Sequence, residues 1–170
     1  MFVTPKERVE EYTAKGWWGS TTLDHLVQRN RRELGDKPAL IDPLNREALD
    51  GKAPRRLSWT QLGDEIDRVG AALLGLGLKK GDILTYQTPN FVDTVVLALA
   101  CARIGVIISP VVTAYREHEL SYVLDKVKPK AFVTLARFAG FDHGAMALKL
   151  REGRDFAVLI LGGDAPEGAI

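Results

Sequence analysis

The chain of 170 residues has one cysteine, Cys101, so it can form no internal disulfide. A lone thiol fits a reducing compartment, and a cytoplasmic protein is expected. Histidine is also scarce. His25, His118 and His143 are far apart, and no His or Cys cluster has the spacing of metal ligands. Net charge is nearly absent, since 23 Lys and Arg against 22 Asp and Glu leave +1. That balance gives no electrostatic reason for a nucleic-acid or anionic-membrane partner. Long hydrophobic runs are missing too. The longest, Val95–Ala102, falls well short of the roughly 18–20 residues that a bilayer span demands. Lys6, Glu7, Arg8, Glu10 and Glu11 stand where a secretory signal would need apolar residues, so no signal is expected. Repeats and low-complexity tracts are lacking as well.

What remains is a globular composition, 46% hydrophobic and 26% charged, which excludes wholesale disorder. The length suits one domain on the usual range of roughly 100–200 residues. The expectation is a single α/β domain over 1–170, with an N-terminal arm (1–20) and a body (21–164).

Thr4-Pro5-Lys6-Glu7 has the shape of a capping box, with Pro at the first helical position, and predicts a helix over 5–14. The adjacent Trp17 and Trp18 cannot both face one way, so at least one is expected to pack the arm onto the body. Leu23, Leu26, Val27 and Leu34 form one face of a helix over 21–34, ended by Gly35. Strands are expected at 38–42 and 55–58, joined as a hairpin by a long, mobile, polar loop at 43–54. Ser58-Trp59-Thr60-Gln61 is a second capping box. It opens a helix whose stripe is Leu62, Ile66, Val69, Leu73 and Leu76, with Gly77 closing it.

From Ile83 the pattern alternates. Strands are predicted at 83–87, 106–109, 131–135 and 156–161. Helices are predicted at 90–104, 117–127 and 142–151, the last capped by Asp142. Pro89-Asn90 is expected to make the turn and cap into the first of these. The strands are continuous apolar runs, which points to a mainly parallel sheet with helices on both faces. A short N-terminal hairpin and a helical arm complete the expected α/β fold. A ligand would approach the carboxyl ends of the strands, at Gln87–Asn90, Ser109–Arg116, Thr134–Phe138 and Gly162–Asp164.

That rim shows no familiar catalytic set. There is no G-x-x-x-x-G-K-[ST] loop and no G-x-S-x-G elbow. Gly75 and Gly77 follow a helix and precede a strand, the reverse of a dinucleotide fingerprint. Cys101 lies in an apolar helix and is expected to be an inert core thiol.

Leu57-Ser-Trp-Thr-Gln-Leu62, Ala71-Ala-Leu-Leu-Gly-Leu-Gly77, Lys80-Gly-Asp82 and Pro89-Asn90 resemble the N-terminal part of the acyl-adenylate-forming (AMP-binding) enzymes. Leu99-Ala-Cys-Ala-Arg-Ile-Gly105, Ser109-Pro110, Tyr115-Arg-Glu-His-Glu-Leu120, Tyr12–Trp18 and Gly162-Gly-Asp164 resemble more narrowly the cyclohexanecarboxylate-CoA and medium-chain acyl-CoA ligases. The resemblance spans about 10–164. It implies a parent enzyme that uses ATP and Mg²⁺ to convert a carboxylic acid to an acyl-adenylate, then passes the acyl group to CoA. The family's phosphate loop, close to T-S-G-T-T-G-x-P-K, does not occur here, nor do its later motifs. The resemblance therefore implies an N-terminal fragment, inactive alone, with no catalytic or metal-binding residue in this chain and no cofactor bound to it.

Some relatives carry an Asn-Pro-Arg whose Arg reaches a CoA phosphate. Here the matching positions are Val112-Thr113-Ala114, so the Arg is replaced by Ala114. Arg116, two residues on, is the candidate for that contact. The implied partners are the remainder of the parent polypeptide and its carboxylic-acid substrate. A face stripped of its neighbouring subdomain is expected to be apolar and to favour self-association. A stand-alone small-molecule- or nucleotide-binding module, or a non-catalytic interaction domain, are the alternatives.

Overall fold

A computed structural model describes residues 4–170. The arm is helix α1 (Lys6–Ala14), followed by α2 (Leu23–Leu34). Strand β1 (Pro38–Ile41), helix α3 (Arg46–Asp50) and strand β2 (Arg56–Ser58) lead into the long helix α4 (Trp59–Gly75). The regular part then runs β3 (Ile83–Gln87), α5 (Val92–Ile104), β4 (Ile107–Pro110), α6 (Glu117–Val127) and β5 (Ala131–Thr134). A tight hairpin, β6 (Arg137–Phe138) and β7 (Phe141–Asp142), precedes α7 (His143–Arg151) and β8 (Ala157–Ile160).

Strands β4-β3-β5-β8 form one sheet in that order, parallel throughout. Alternation along the strands divides its two faces. Ala131 and Val133 of β5 point to a core with Leu73 of α4 and Leu97 and Cys101 of α5. Phe132, between them, points the other way, to Leu120 and Leu124 of α6 and Met146 and Leu150 of α7. The α/β class, the parallel sheet and its helices on both faces are thus as the apolar strand runs imply. Pro110 lies on an edge strand, where a missing N–H breaks no ladder.

Several local expectations are corrected. Thr4 does not cap α1. Its N-cap is Pro5 in an extended conformation, and the carbonyl of Pro5 accepts from Arg8 and Val9. Trp17 and Trp18 stay exposed and pack on Tyr12 of the same arm, with ring centroids 5.3 and 5.1 Å away. An aromatic cluster within the arm takes the place of the expected anchor. The polar stretch 43–54 holds helix α3, whose Arg46 is 2% exposed. Ion pairs order this segment where composition alone suggested a mobile loop.

The capping box of α4 is formed. Gln61 N–H donates to Ser58 Oγ, and Ser58 N–H donates to Gln61 Oε1 at 2.9 Å. A box that the sequence pattern missed opens α2. There Thr22 is reciprocated by His25, whose Nδ1 accepts the Thr22 N–H in place of a Glu or Gln. Helices α2 and α4 meet where Arg31 lies across Gly63, so that a Cβ on Gly63 would clash with Arg31 Cδ. From there Arg31 pairs with Asp64 and, at 2.9 Å, with Asp67.

Candidate functional site

Strand order places the site. From β3 the chain passes through α5 to β4 on one side; from β5 it passes through α7 to β8 on the other. Helices α5 and α7 cover opposite faces. The carboxyl ends of β3 and β5 therefore flank a topological switch point, the usual ligand crevice of an open parallel sheet.

Two elements occupy that crevice from within the chain. The first is the loop 111–116. Gln87, the last residue of β3, is 1% exposed, and its Nε2 donates to the carbonyls of Val112 and Tyr115 at 3.0 Å each. Thr134 Oγ1, at the end of β5, donates to Gln87 O at 3.1 Å. His143 faces the same loop, with Nε2 3.3 Å from Thr113 O. Arg116 closes the loop from outside, where its Nη1 donates to Thr113 O (2.7 Å) and Tyr115 O (2.8 Å). Its guanidinium carbon lies 4.0 Å from the centre of the Phe141 ring.

The second element is a carboxylate at the head of α5. The N-cap of α5 is Phe91, without a side-chain hydrogen bond, which corrects the expected cap at Pro89-Asn90. The cap comes from a distant residue instead. Asp42 Oδ1 accepts the Val92 N–H at 2.8 Å, and Oδ2 accepts the Arg55 N–H at 2.8 Å. Arg46 donates to Asp42 (2.5 Å), Asp50 (3.3 Å) and Asp93 (2.6 Å), and Arg55 reaches Asp93 at 2.5 Å. Arg46 also lies 4.7 Å from the centre of the Phe91 ring. Burial of Asp42 opposes its charge, but the hydrogen bonds from Val92, Arg46 and Arg55 outweigh it and hold the carboxyl below its usual value. Burial likewise opposes the Arg46 charge, and the contacts to Asp42 and Asp93 overcome it. The positive end of α5, which could have faced a ligand phosphate, is thus satisfied internally.

The remaining rim segments stand apart from this. Gly162 lies beside Lys52, which follows α3, close enough that a Cβ at Gly162 would be 2.9 Å from Lys52 Nζ. Ala114 and Arg116 are exposed, and the backbone N–H of Arg116 donates to Glu119 Oε2 at 3.0 Å. That bond chiefly lowers the Glu119 carboxyl. Cys101 is fully buried, and its burial pushes the thiol up to about 12, so the thiolate that chemistry would need is suppressed. Among the described residues, no group of three or more His, Cys, Asp and Glu side chains could hold a metal ion. Sequence reading named Gln87 and His143 only as a rim residue and a scattered histidine. The Asp42–Arg46–Asp93 network escaped it, because its partners are separated by a helix and two strands.

The fold and its switch point define the class, an open α/β protein with a parallel sheet covered on both faces. The family model of AMP-binding enzymes matches residues 27–167, and the chain belongs to that family. It is 30% identical over 157 residues to a salicylyl-CoA synthase / salicylate adenylyltransferase of Streptomyces, covering 92% of this chain and 27% of that protein. It is 42% identical over 118 residues to a mitochondrial medium-chain acyl-CoA ligase of Rattus norvegicus, covering 69% and 19%. The apo structure of MbtA from Mycobacterium smegmatis superposes with a TM-score of 0.78 and 26% identity, over 99% of this chain and 29% of that one. The chain thus spans roughly a quarter of the length of relatives it matches.

Proposed function

We propose that the chain is the N-terminal part of an ATP-dependent acid–thiol ligase, the scaffold on which a carboxylic acid is activated as acyl-AMP and passed to CoA. The observation that carries this is the family match over 27–167, joined to the structural match over nearly the whole chain. Both aryl-acid and medium-chain acyl ligases are among the relatives, and the Leu99–Gly105 and Tyr115–Leu120 stretches resemble the cyclohexanecarboxylate-CoA and medium-chain branch.

The described residues do not fit a triphosphate. The α5 N-terminus holds the Asp42 carboxylate, and the sequence has no loop of the family's Thr/Ser/Gly-rich type. No step through ATP or Mg²⁺ is assigned to this chain, which is read as inactive alone. Arg116 is proposed as a CoA-phosphate contact, since Nε and Nη2 of its guanidinium make no hydrogen bond among the described residues, beside the two carbonyls that Nη1 binds. The outer edge of β4, which pairs only with β3 among the described residues, supports self-association, with Ile108 exposed and a groove lined by Ile83, Ile107, Pro110 and Val127 next to it. No described helix is long and apolar enough to cross a membrane, and the cytoplasm is proposed as its compartment.

The coding frame beyond Ile170 tests the main reading. A Thr/Ser/Gly-rich loop ending in Lys shortly downstream supports it, and a stop codon directly after Ile170 overturns it. For the chain itself, acid-dependent ATP–pyrophosphate exchange is expected to be nil. Calorimetric ATP binding would favour a stand-alone module instead. Weak CoA binding that Arg116→Ala abolishes would establish the phosphate contact; binding indifferent to that change would remove it.

A further inference from the structure

The two edges of the four-stranded sheet end differently. At the β8 edge the chain pairs with itself. Ile170 N–H donates to Val158 O at 3.0 Å, and Ile160 N–H donates to Ile170 O at 2.7 Å. At the other edge β4 pairs only with β3 among the described residues. Proteins commonly guard such an edge with charge, yet Val106-Ile-Ile-Ser-Pro-Val-Val112 carries none. Its guard is Pro110.

The register tells which backbone groups the edge offers. Ile107 N–H donates to Asp82 O at 2.8 Å and Val111 N–H to Tyr86 O at 2.9 Å, so Ile107, Ser109 and Val111 face β3. Alternate residues of a strand face opposite ways in the plane of the sheet, so Val106, Ile108 and Pro110 face outward. Val106 N–H is already taken by Cys101 O at 2.9 Å, and Pro110 has no N–H. The edge therefore offers a single donor, Ile108 N–H, beside the outward carbonyls.

Such an edge is complementary to itself. In an antiparallel pair, residues of one kind stand directly opposite and exchange both hydrogen bonds. Ile108 opposite Ile108 of a second copy satisfies the N–H and the carbonyl of each. In either neighbouring two-fold register the Ile108 carbonyl instead faces Val106 or Pro110, and neither has an N–H to give. The Ile108 side chain, 39% exposed, then lies beside its twin. With a net charge of +1, two copies have little to repel.

We propose that β4 is the two-fold contact of a homodimer, in which Ile108 of one copy stands opposite Ile108 of the other and the two sheets join into one. The proposal rests on the self-association read from this edge and adds its contact, register and symmetry.

The test is sedimentation equilibrium of the whole 170-residue chain, with amide exchange read at the same concentrations. These run from about 10 μM to 1 mM, the range in which a small, transient interface forms. The mass is expected to rise from 18.7 kDa toward twice that value. Ile108 exchange is expected to slow in step with the dimer fraction, while Ser109, whose N–H faces β3, keeps its rate. Ile108→Lys sets like charges opposite each other and should hold the chain monomeric throughout. Pro110→Ala gives each copy a second donor, opposite Val106 O, and should tighten the dimer about tenfold. A chain that stays monomeric at the highest concentration overturns the proposal and the self-association with it. A dimer in which Ile108 exchange stays constant, or which Ile108→Lys leaves intact, overturns this contact alone. Neither result touches the ligase reading, which the coding frame decides. The unsubstituted chain is decisive even if a variant fails to fold.

Discussion

The central strands β3 and β5 and the flank built from β1, α3 and β2 both bury key residues, but different chemistry surrounds those residues. Leu84, Ala131 and Phe132 are fully buried among apolar side chains. Asp42 and Arg46 are buried almost as deeply, at 3% and 2%, and what surrounds them is mutual charge. The flank has only a short antiparallel pair, irregular in register between Pro38 and Leu40. Such a pair is marginal by itself, so the flank depends on Asp42, which ties α3, the β2 approach and the α5 N-terminus at once. Apolar burial fails by degrees as atoms are removed. A buried ionic network fails as a unit, because deleting one member strands the others without solvent.

The comparison is broken most strongly by Arg46→Met. It leaves Asp42 and Asp50 buried without their cation and is expected to cost about 3–5 kcal/mol in urea unfolding. Phe132→Ala in the body should cost a similar amount, about 3–5 kcal/mol, by leaving a cavity. The two are separated by pH, since acidification should shrink the Arg46→Met loss and leave the Phe132→Ala loss unchanged.

Acid comes next in size. The folded Asp42 carboxyl lies below its unfolded value of about 3.9. Its contribution is therefore complete above that value and is lost as pH falls through the folded one. Unfolding midpoints of the native chain should drop below about pH 4, and in Asp42→Asn that part of the drop should be missing. Ser58→Ala removes the α4 cap and should cost about 1 kcal/mol at any pH above the carboxylate range. At the small end, Lys149→Ala breaks an exposed pair with Glu117 and should leave the urea midpoint where it was. A large effect there would mean that exposed charge matters in this fold as much as buried charge.

Much of the body was legible beforehand because its signals are local. The stripe Leu62, Ile66, Val69 and Leu73 and the Ser58–Gln61 box are read within one helix, although Leu76, expected to end the stripe, is the exposed C-cap; the apolar runs of β3, β5 and β8 imply helices on both faces. In the flank only the antiparallel pair of β1 and β2 was legible; its ion-pair network and the contacts of the rim were not, because their determinants are distant in sequence. Asp42 caps Val92 and Arg46 reaches Asp93 from across the fold, and nothing in a one-dimensional pattern pairs them. Strand order, which sets the switch point, leaves no periodic trace either. The β6–β7 turn carries positive φ at Ala139 (48°) and Gly140 (77°). Such a pair is usually announced by Asn-Gly or Asp-Gly, and Ala in the first place hides it.

One consequence concerns Cys101. Its sulfur is sealed between α5 and the sheet, and burial pushes its thiol up to about 12. A thiol-directed reagent in neutral buffer can meet it only in molecules that have opened. The labelling rate, divided by that of a free cysteine, is then a direct count of how often the interior is exposed. The chain carries its own clock for unfolding, and with a single cysteine the clock needs no engineering.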